Sequence, residues 1–271
     1  GMVAEKNSVC RAAGVLLTGT VEANSTVFVK VNGGAPIQTT ATADGTWSIT
    51  VPHSSLPHGN DIPVTVQVSA KDWVGNYLEL ASETVRVDTV APDGPAITKD
   101  TGDGNVVSGV WTAGHNNDFD YFAAGATGAA EALDVSLINI HRSGVPHTAA
   151  TFVSDDIPDG SYLVVRAEDT AGNEASTLYL RNSTGEVTID LNREGLQGFD
   201  FSTINLHSVD AKLSLDSAQV LALTGQDKQL TIVGGTDDVV NISGVIGAPV
   251  TDGGFKLYNL GGGASVLIED D

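Results

Sequence analysis

Short segments in which apolar and polar residues alternate recur along most of the chain. In the stretch TVFVKVN (26–32), Val27, Val29 and Val31 fall on one side of an extended backbone, which is the period-two pattern of a half-buried β-strand. Such segments are separated by turn residues, for example the NGG that follows Val31. Because long helical patterns are scarce, the sequence predicts an all-β chain of many short strands.

The alternation and its interruptions divide the chain into three predicted domains. Residues 3–89 contain six or seven short strands with regularly spaced turns, which predicts an immunoglobulin-like β-sandwich. The stretch DTVAPDGP (88–95) has two prolines and no apolar periodicity, as is typical of a stiff linker. We expect a second immunoglobulin-like sandwich in tandem over residues 90–190, and a small, mostly β C-terminal module with one short helix over residues 191–271.

The second predicted domain repeats the end of the first. AKDWVGN (70–76) matches AEDTAGN (167–173), and each follows an alternating apolar stretch, VTVQVS in one case and YLVVR in the other. Nearby, LPHG matches IPDG and VRVD matches VTID. In the middle of the second domain, HNNDFDYFAAGATGAAEALDV (115–135) lacks clean alternation, and we expect a loop or a short helix there.

The helix of the third module is predicted over DSAQVLALT (216–224). Asp216 can accept hydrogen bonds from the first free amides, and Gln219 stands three residues later, as in a capping box. Val220, Leu221 and Leu223 supply an apolar side.

The chain has a net charge of −21, and most of the acidic residues follow residue 90. The first predicted domain has 8 acids and 5 bases, the second 15 and 4, and the third 11 and 4. Such a surface repels nucleic acid and anionic bilayers, so we expect no nucleic-acid partner and no membrane insertion. The acidity is explained either by solubility in a salty exterior or by hard cations such as calcium, which neutralise carboxylates.

Few features of the sequence indicate catalysis. The six histidines are scattered without zinc-ligand spacing, and the single Cys10 allows no intrachain disulfide. The acidic pairs Asp155-Asp156 and Asp237-Asp238 could suggest glycosidase carboxylates, but adjacent acids on turns are usually solvated. We therefore predict that the protein is not an enzyme. A hydrolase in the second domain is the weakest alternative, and it would use the following acidic residues: Asp118, Asp120, Glu131 and Asp134.

The three tryptophans raise a second function class, a carbohydrate-binding accessory region of a secreted enzyme. Exposed indole rings can stack on sugars, but core or interface packing is the more common role. Trp47 lies on the apolar side of an alternating stretch and is expected in the core. Trp73 lies inside the first acidic turn, and Trp111 lies in the irregular middle of the second domain.

Two long stretches resemble a known family. The segments GTVEANSTVFVKVNGG, TATADGTWSITVP, VTVQVSAKDWVGN and VRVDTVAP resemble the bacterial Ig-like repeats of very large, type I-secreted (RTX-type) surface adhesins and biofilm-associated proteins. DFSTINLHSVDAKLSLDSAQVLALTGQDKQLTIVGGTDDVVNISG resembles a module found toward the C-terminal end of such proteins. The resemblance implies a non-catalytic structural or adhesive segment, secreted to the bacterial cell surface. Its partners would be neighbouring domains of the same long chain and a host or matrix glycan or protein.

The resemblance also implies calcium at the junctions between modules. Ca²⁺ takes six to eight oxygen ligands, more than one turn supplies, so a turn, a linker and the next loop would share the ion. The expected ligands at the first junction are Asp72, Asn76, Asp88, Asp100 and Asp103. At the second junction they are Asp169, Asn173 and Asp190, although the linker there reads IDLNREG in place of VDTVAP. The alternative is that each D-x-x-G-N segment is an ordinary turn without metal.

Overall fold

The computed structural model describes residues 2–4, 14–103, 106–114, 118–125, 127–153, 157–182, 184–225 and 227–270. Strands dominate these residues, which confirms the predicted all-β class. The chain forms two compact units. Unit 1 comprises Gly1–Ala91 together with the short segment Asp169–Asn173, and unit 2 comprises Pro92–Glu168 and Glu174–Asp271.

Unit 1 is built from two antiparallel sheets. The strands described in it are β1 (Met2–Ala4), β2 (Val15–Thr20), β3 (Thr26–Val31), β4 (Ile37–Thr40), β5 (Thr46–Val51), β6 (Ile62–Lys71) and β7 (Tyr77–Val87), with a 3₁₀ turn at His53–Ser55. One sheet has the order β1-β2-β5 and the other the order β4-β3-β6-β7, so β7 is an edge strand.

The core of unit 1 lies between these sheets and follows the predicted alternation. Val27 and Val29 on β3 are fully buried, and β5 alternates exposed and buried residues along its whole length. Trp47 on β5 is 5% exposed, which confirms its predicted place in the core. A Cβ on Gly19 of the neighbouring β2 would lie 2.6 Å from the Trp47 ring, so only glycine leaves room for the indole. Apolar side chains from both sheets thus make a β-sandwich.

Unit 2 begins with a second pair of packed sheets. The strands described in its first half are β8 (Ile97–Thr101), β9 (Val106–Val107), β10 (Gly109–Ala113), β11 (Asp120–Ala124), β12 (Glu131–Ala132), β13 (Val135–Arg142), β14 (Val145–Phe152), β15 (Ile157–Pro158), β16 (Tyr162–Glu168) and β17 (Glu174–Arg181). The sheet β13-β14-β10-β8 packs on β11, β16 and β17 around a core that includes Val110, Phe152 and Val165.

The loop or short helix expected over residues 115–135 is wrong for β11 and β12, which lie within that stretch, while the described residues between these strands form a bend. On β11, Tyr121 packs into one hydrophobic core and Phe122 packs against the other. Apolar residues on both faces of the strand remove the polarity contrast on which the period-two pattern depends.

The second half of unit 2 contains parallel strands. Its described elements are β18 (Val187–Thr188), a 3₁₀ turn (Glu194–Leu196), β19 (Phe201–Ser208), β20 (Ala211–Leu215), α1 (Ser217–Leu223), β21 (Gln229–Val233), β22 (Val239–Ile242), β23 (Val250–Asp252), β24 (Phe255–Asn259), a 3₁₀ turn (Gly261–Gly263) and β25 (Ser265–Glu269). Strands β18, β20 and β22 form one parallel sheet, and β19, β21 and β25 run parallel in another.

One nine-stranded sheet crosses the predicted boundary between residues 190 and 191. β17 pairs with β16 on one side and runs parallel to β19 on the other, so strands from both sides of the boundary share backbone hydrogen bonds. The predicted domain limits stay predictions, but the segments they separate form one continuous sheet. β16 and β17 are consequently buried on both faces.

The helix is confirmed with its predicted cap. Asp216 accepts a hydrogen bond from the Gln219 amide at 2.8 Å, and the Gln219 side chain accepts one from the Asp216 amide at 3.1 Å. Val220 and Leu223 pack into the core between the two parallel sheets. Over the described residues, α1 is far too short to cross a bilayer, and no other helix is long and apolar enough to do so.

Candidate functional site

The first acidic turn, Asp72–Asn76, joins β6 to β7 and is closed by its own side chains. The Asp72 carboxylate accepts hydrogen bonds from the Asn76 amide at 2.8 Å and from the Asn76 side chain at 2.6 Å. Desolvation raises the pKa of Asp72, but the hydrogen bonds from Asn76 and from the amides of Gly75 and Val74 outweigh it and lower the pKa below the ordinary value. The turn therefore favours a charged carboxylate without a metal.

The second acidic turn, Asp169–Asn173, repeats this arrangement between β16 and β17. Asp169 accepts hydrogen bonds from the Ala171 amide at 2.8 Å, the Asn173 amide at 2.9 Å and the Asn173 side chain at 2.8 Å. In both turns the backbone closes through the same pair of bonds, from the Asp amide to the Asn carbonyl and from the Gly amide to the Asp carbonyl. Gly75 (φ 101°) and Gly172 (φ 86°) both adopt positive φ.

The surroundings of the two turns differ. Asn76 is exposed and Trp73 is 81% exposed, whereas Asn173 is only 6% exposed. The Asn173 side-chain nitrogen also donates to the backbone carbonyl of Asp88 at 3.3 Å, inside unit 1. Asp88 is thus brought next to the second acidic turn. The ligand set implied by the family resemblance places Asp88 with the first turn.

The Asp88 side chain holds the start of the linker. Its carboxylate accepts a hydrogen bond from the Val90 amide at 3.0 Å, two residues along the chain. Asp88, Asp169 and Asn173 together offer carboxylate, amide and carbonyl oxygens, which are the donors that hard cations prefer. The Asp88 carbonyl and carboxylate both already accept hydrogen bonds, from Asn173 and Val90 respectively.

The other predicted ligands have partners of different kinds. The Asp100 carboxylate forms an ion pair with the Arg181 Nε at 3.2 Å, and the Asp103 carbonyl accepts from the same guanidinium at 3.4 Å. The Asp190 carboxylate accepts from the Asn192 amide at 3.0 Å, and the Asp190 amide donates to the Tyr162 hydroxyl at 2.7 Å. A cation already neutralises Asp100, which weakens its case as a metal ligand.

Within the described part of the chain, no group of three or more His, Cys, Asp or Glu side chains is close enough to hold a metal ion. The eight predicted ligands stay predictions, and those brought together by hydrogen bonds are the pair Asp72 and Asn76 and the trio Asp88, Asp169 and Asn173.

Two of the carboxylates considered for catalysis, Asp120 and Asp238, have structural partners. Asp238 accepts from the Ala211 amide at 2.9 Å and the Gly235 amide at 2.8 Å, and burial, aided by Asp237 and Asp210, raises its pKa. Asp120 pairs with Arg166. Glu131 and Asp134 line an open cavity of about 520 Å³ with Phe152 and Ile157. Cys10 and the pair Asp155-Asp156 lie outside the described residues.

No protein-family model matches the chain, and no curated protein matches it. Solved structures that are similar to it include the following three. One is of a Ca²⁺-stabilized adhesin that helps an Antarctic bacterium reach out and bind ice, and it is 23% identical over 62% of this chain and 43% of that chain, with a TM-score of 0.31. The second concerns host cell surface retention of a 1.5-MDa bacterial ice-binding adhesin, with 18% identity over 72% and 65% of the two chains and a TM-score of 0.31.

The third structure is of a tetra-tandem repeat in the extending region of a large adhesion protein. It is 21% identical over 72% of this chain and 52% of that chain, with a TM-score of 0.26. The chain therefore spans between 43% and 65% of the length of these three chains.

Proposed function

We propose that this chain is a non-catalytic structural and adhesive segment of a bacterial protein secreted to the cell surface, and that calcium stiffens the junctions between its modules. Support comes from the repeated D-x-x-G-N turns, from the motifs shared with Ig-like adhesin repeats, and from the large excess of acidic residues. The observation that carries the calcium part is the hydrogen bond between Asn173 and the Asp88 carbonyl. It joins the linker aspartate to a rigid acidic turn.

The proposed ion would be held by Asp88, Asp169 and Asn173. At present the Asn173 amide hydrogens satisfy the Asp88 carbonyl and one Asp169 oxygen. A divalent cation would take over this neutralising role, because two carboxylates and a carbonyl attract it more strongly than they attract a neutral amide. Water and further backbone carbonyls would complete the six to eight ligands that calcium requires.

Calcium binding would restrict the motion of one module relative to the next. A linker aspartate bound to the same ion as a distant turn loses the freedom to rotate, so the modules would keep one relative orientation. A chain of such modules would project from a surface as a rod, with neighbouring domains of the same long chain as its first partners. At its outer end it would meet a host or matrix glycan or protein.

The proposal is tested by calorimetry and small-angle scattering in calcium and in chelator. At a calcium concentration 100 times the Kd, one site adds about 2.7 kcal/mol to the folded state and raises Tm by several degrees. Calcium should also reduce the spread of molecular dimensions measured by scattering. An unchanged melting curve and scattering profile would contradict the proposal.

Matched variants identify the ligands. Asp169→Asn should remove most of the calcium-dependent rise in Tm, whereas Asp72→Asn, with the same local turn, should keep it. Magnesium at equal concentration should give a smaller rise, because it demands stricter octahedral geometry. If Asp72→Asn removes the effect and Asp169→Asn does not, the ion lies at the first turn and the Asp88–Asp169 assignment is wrong.

A further inference from the structure

The sheet β13-β14-β10-β8 has an outward face centred on Trp111. Val110 and Thr112 on β10 are fully buried, so Trp111 between them points outward. Lys99 on β8 and Ala149 on β14 lie directly opposite Trp111 across the sheet. The Trp111 face, as we define it, consists of six outward residues: Lys99, Trp111, Ile138, Arg142, His147 and Ala149.

Two cations flank the indole of Trp111. The Lys99 Nζ lies 4.8 Å from the ring centroid, and the Arg142 guanidinium carbon lies 5.8 Å from it. They come from the two edge strands of the sheet, β8 and β13. The His147 ring is tilted against the indole with a centroid separation of 6.2 Å. The indole therefore lies between basic groups on both sides.

These cations stand out against the charge of their region. Residues 90–190 carry 15 acids and only four bases. Two of the bases serve internal ion pairs, since Arg166 contacts Asp120 and Glu174, and Arg181 contacts Asp100. The other two bases of this region, Lys99 and Arg142, both contact the same tryptophan. The Trp111 face is therefore a basic, aromatic patch on a strongly acidic protein.

The dimensions of the face limit what it can bind. Four strands at ~4.8 Å spacing give a width of ~14 Å, and the five residues of β10 give a length of ~17 Å. This is far below the ~800 Å² that each partner buries in a standard protein–protein interface. The area suits a few sugar rings, and Ala149 leaves only a methyl group beside the indole on the neighbouring strand.

We propose that the Trp111 face binds a glycan that carries carboxylate groups. Ile138, which is 59% exposed, and the part of the half-buried indole that the two cations leave uncovered offer an apolar surface for the C–H face of a pyranose ring. Lys99 and Arg142 reach the carboxylates of successive sugars from opposite edges, with Arg142 able to bind in bidentate fashion. A neutral glycan could accept hydrogen bonds from the two cations but would lack their charge attraction.

Binding is tested by titration calorimetry of the full chain with a hyaluronan octasaccharide. Chitohexaose serves as the uncharged comparison, because it shares N-acetylglucosamine and lacks the carboxylate. The buffer contains chelator, so the result is independent of the calcium proposal. We expect binding of the octasaccharide that weakens as salt rises, and much weaker binding of chitohexaose.

The decisive variant is Lys99→Gln/Arg142→Gln, which leaves Trp111 and the core in place. Each exposed charge pair contributes a factor of about 2 to 5, so the double variant should bind about 5-fold to 20-fold more weakly. Lys71→Gln/Lys212→Gln removes the same charge elsewhere and should bind like the wild type. Trp111→Ala should abolish binding and Trp73→Ala should leave it unchanged, with Tm measured for each.

Three results would overturn the proposal. The first is absence of octasaccharide binding at millimolar concentration. The second is equal loss in the Lys71/Lys212 control, which would indicate a general charge effect. The third is tighter binding of poly-L-glutamate than of hyaluronan with the same dependence on Lys99 and Arg142, which would assign the face to an acidic peptide.

Discussion

Two segments of this protein share a local sequence pattern and end in opposite environments. Residues 72–87 and residues 169–181 each consist of a D-x-x-G-N turn followed by a strand. The turns have the same hydrogen bonds, within about 0.2 Å. After the first turn, β7 is almost wholly exposed, whereas β17 after the second turn is buried on both faces.

The difference is explained by what packs on the two faces of each strand. β7 is the edge of a four-stranded sheet, and Leu78 and Leu80 face solvent. β17 lies inside a nine-stranded sheet, where Tyr179 packs into the core on one side and Leu178 into the core on the other. A short motif therefore defines the shape of its own turn but not the environment of the strand that follows.

The largest expected contrast is between Leu178→Ala on β17 and Leu78→Ala on β7. Leu178 is 1% exposed, and its replacement by alanine should lower the free energy of unfolding by about 2 to 5 kcal/mol because it leaves a cavity. Leu78 is 63% exposed and should change the free energy by no more than about 0.5 kcal/mol. Urea denaturation of both variants measures the difference. Similar losses would contradict the edge and centre assignments of the two strands.

The next contrast is between Asn173→Ala and Asn76→Ala. Removal of the buried Asn173 side chain takes away the hydrogen bonds that it donates to the Asp88 carbonyl and to an Asp169 oxygen. The free energy of unfolding should therefore fall by about 1 to 3 kcal/mol. Removal of the exposed Asn76 side chain should cost about 0.5 kcal/mol, because water replaces it. Thermal unfolding followed by calorimetry compares the two variants.

The glycines of the same turns provide the control. Gly75→Ala and Gly172→Ala both place a Cβ on a residue with positive φ, and each should cost about 1 kcal/mol. If the two glycine variants lose the same stability and the two asparagine variants do not, the local energy of the turn is the same in both places. The difference between the asparagine variants then measures the tertiary contact. Equal asparagine effects would mean that the contact with Asp88 adds no stability.

The smallest expected contrast is a loss of stability that appears only at alkaline pH. It concerns the tyrosines of the two strands. Burial raises the pKa of Tyr179 on β17 well above its usual value, and burial raises the pKa of Tyr121 in the same core to about 12. Above pH 10 the unfolded chain loses these protons first, so the folded state binds more protons and loses stability as pH rises through the folded pKa. Tyr77 on β7 is 56% exposed.

Tyr179→Phe should therefore reduce the alkaline loss of stability, and Tyr121 should keep part of it. Stability measured in urea between pH 8 and pH 11.5, with tyrosine ionisation followed by ultraviolet absorbance, tests this expectation. If Tyr179→Phe loses as much stability at alkaline pH as the wild type does, the role assigned to burial of Tyr179 is wrong.

Much of the fold was predictable from local patterns. The alternation around Val27 and Val29, the buried Trp47 and the capped helix at Ser217–Leu223 all appear as expected. Each depends on residues close together in the chain, where periodicity and capping chemistry act directly. Strands β11 and β12, within residues 115–135, were missed, and for β11 the reason is that Tyr121 and Phe122 make both of its faces apolar.

The candidate sites were only partly predictable. The sequence identified both acidic turns and the linker aspartate, but it joined Asp88 to Asp72, while the structure bonds its carbonyl to Asn173, 85 residues away. The Trp111 face was missed because Lys99, Trp111 and Arg142 come from three different strands. Only the strand register brings them together, and register depends on which faces are buried.

The sequence by itself determined the local chemistry of this protein: where strands and the helix begin, how each acidic turn closes on its own aspartate, and the excess of negative charge. The tertiary structure alone decided that β17 lies between two cores, that Asp88 contacts the second turn, and that two of the few cations flank one tryptophan. The physical reason is the separation along the chain between the residues that interact. Hydrogen bonds within a turn need only neighbouring residues, whereas burial and clustering of charge depend on contacts between segments that the chain connects through long loops.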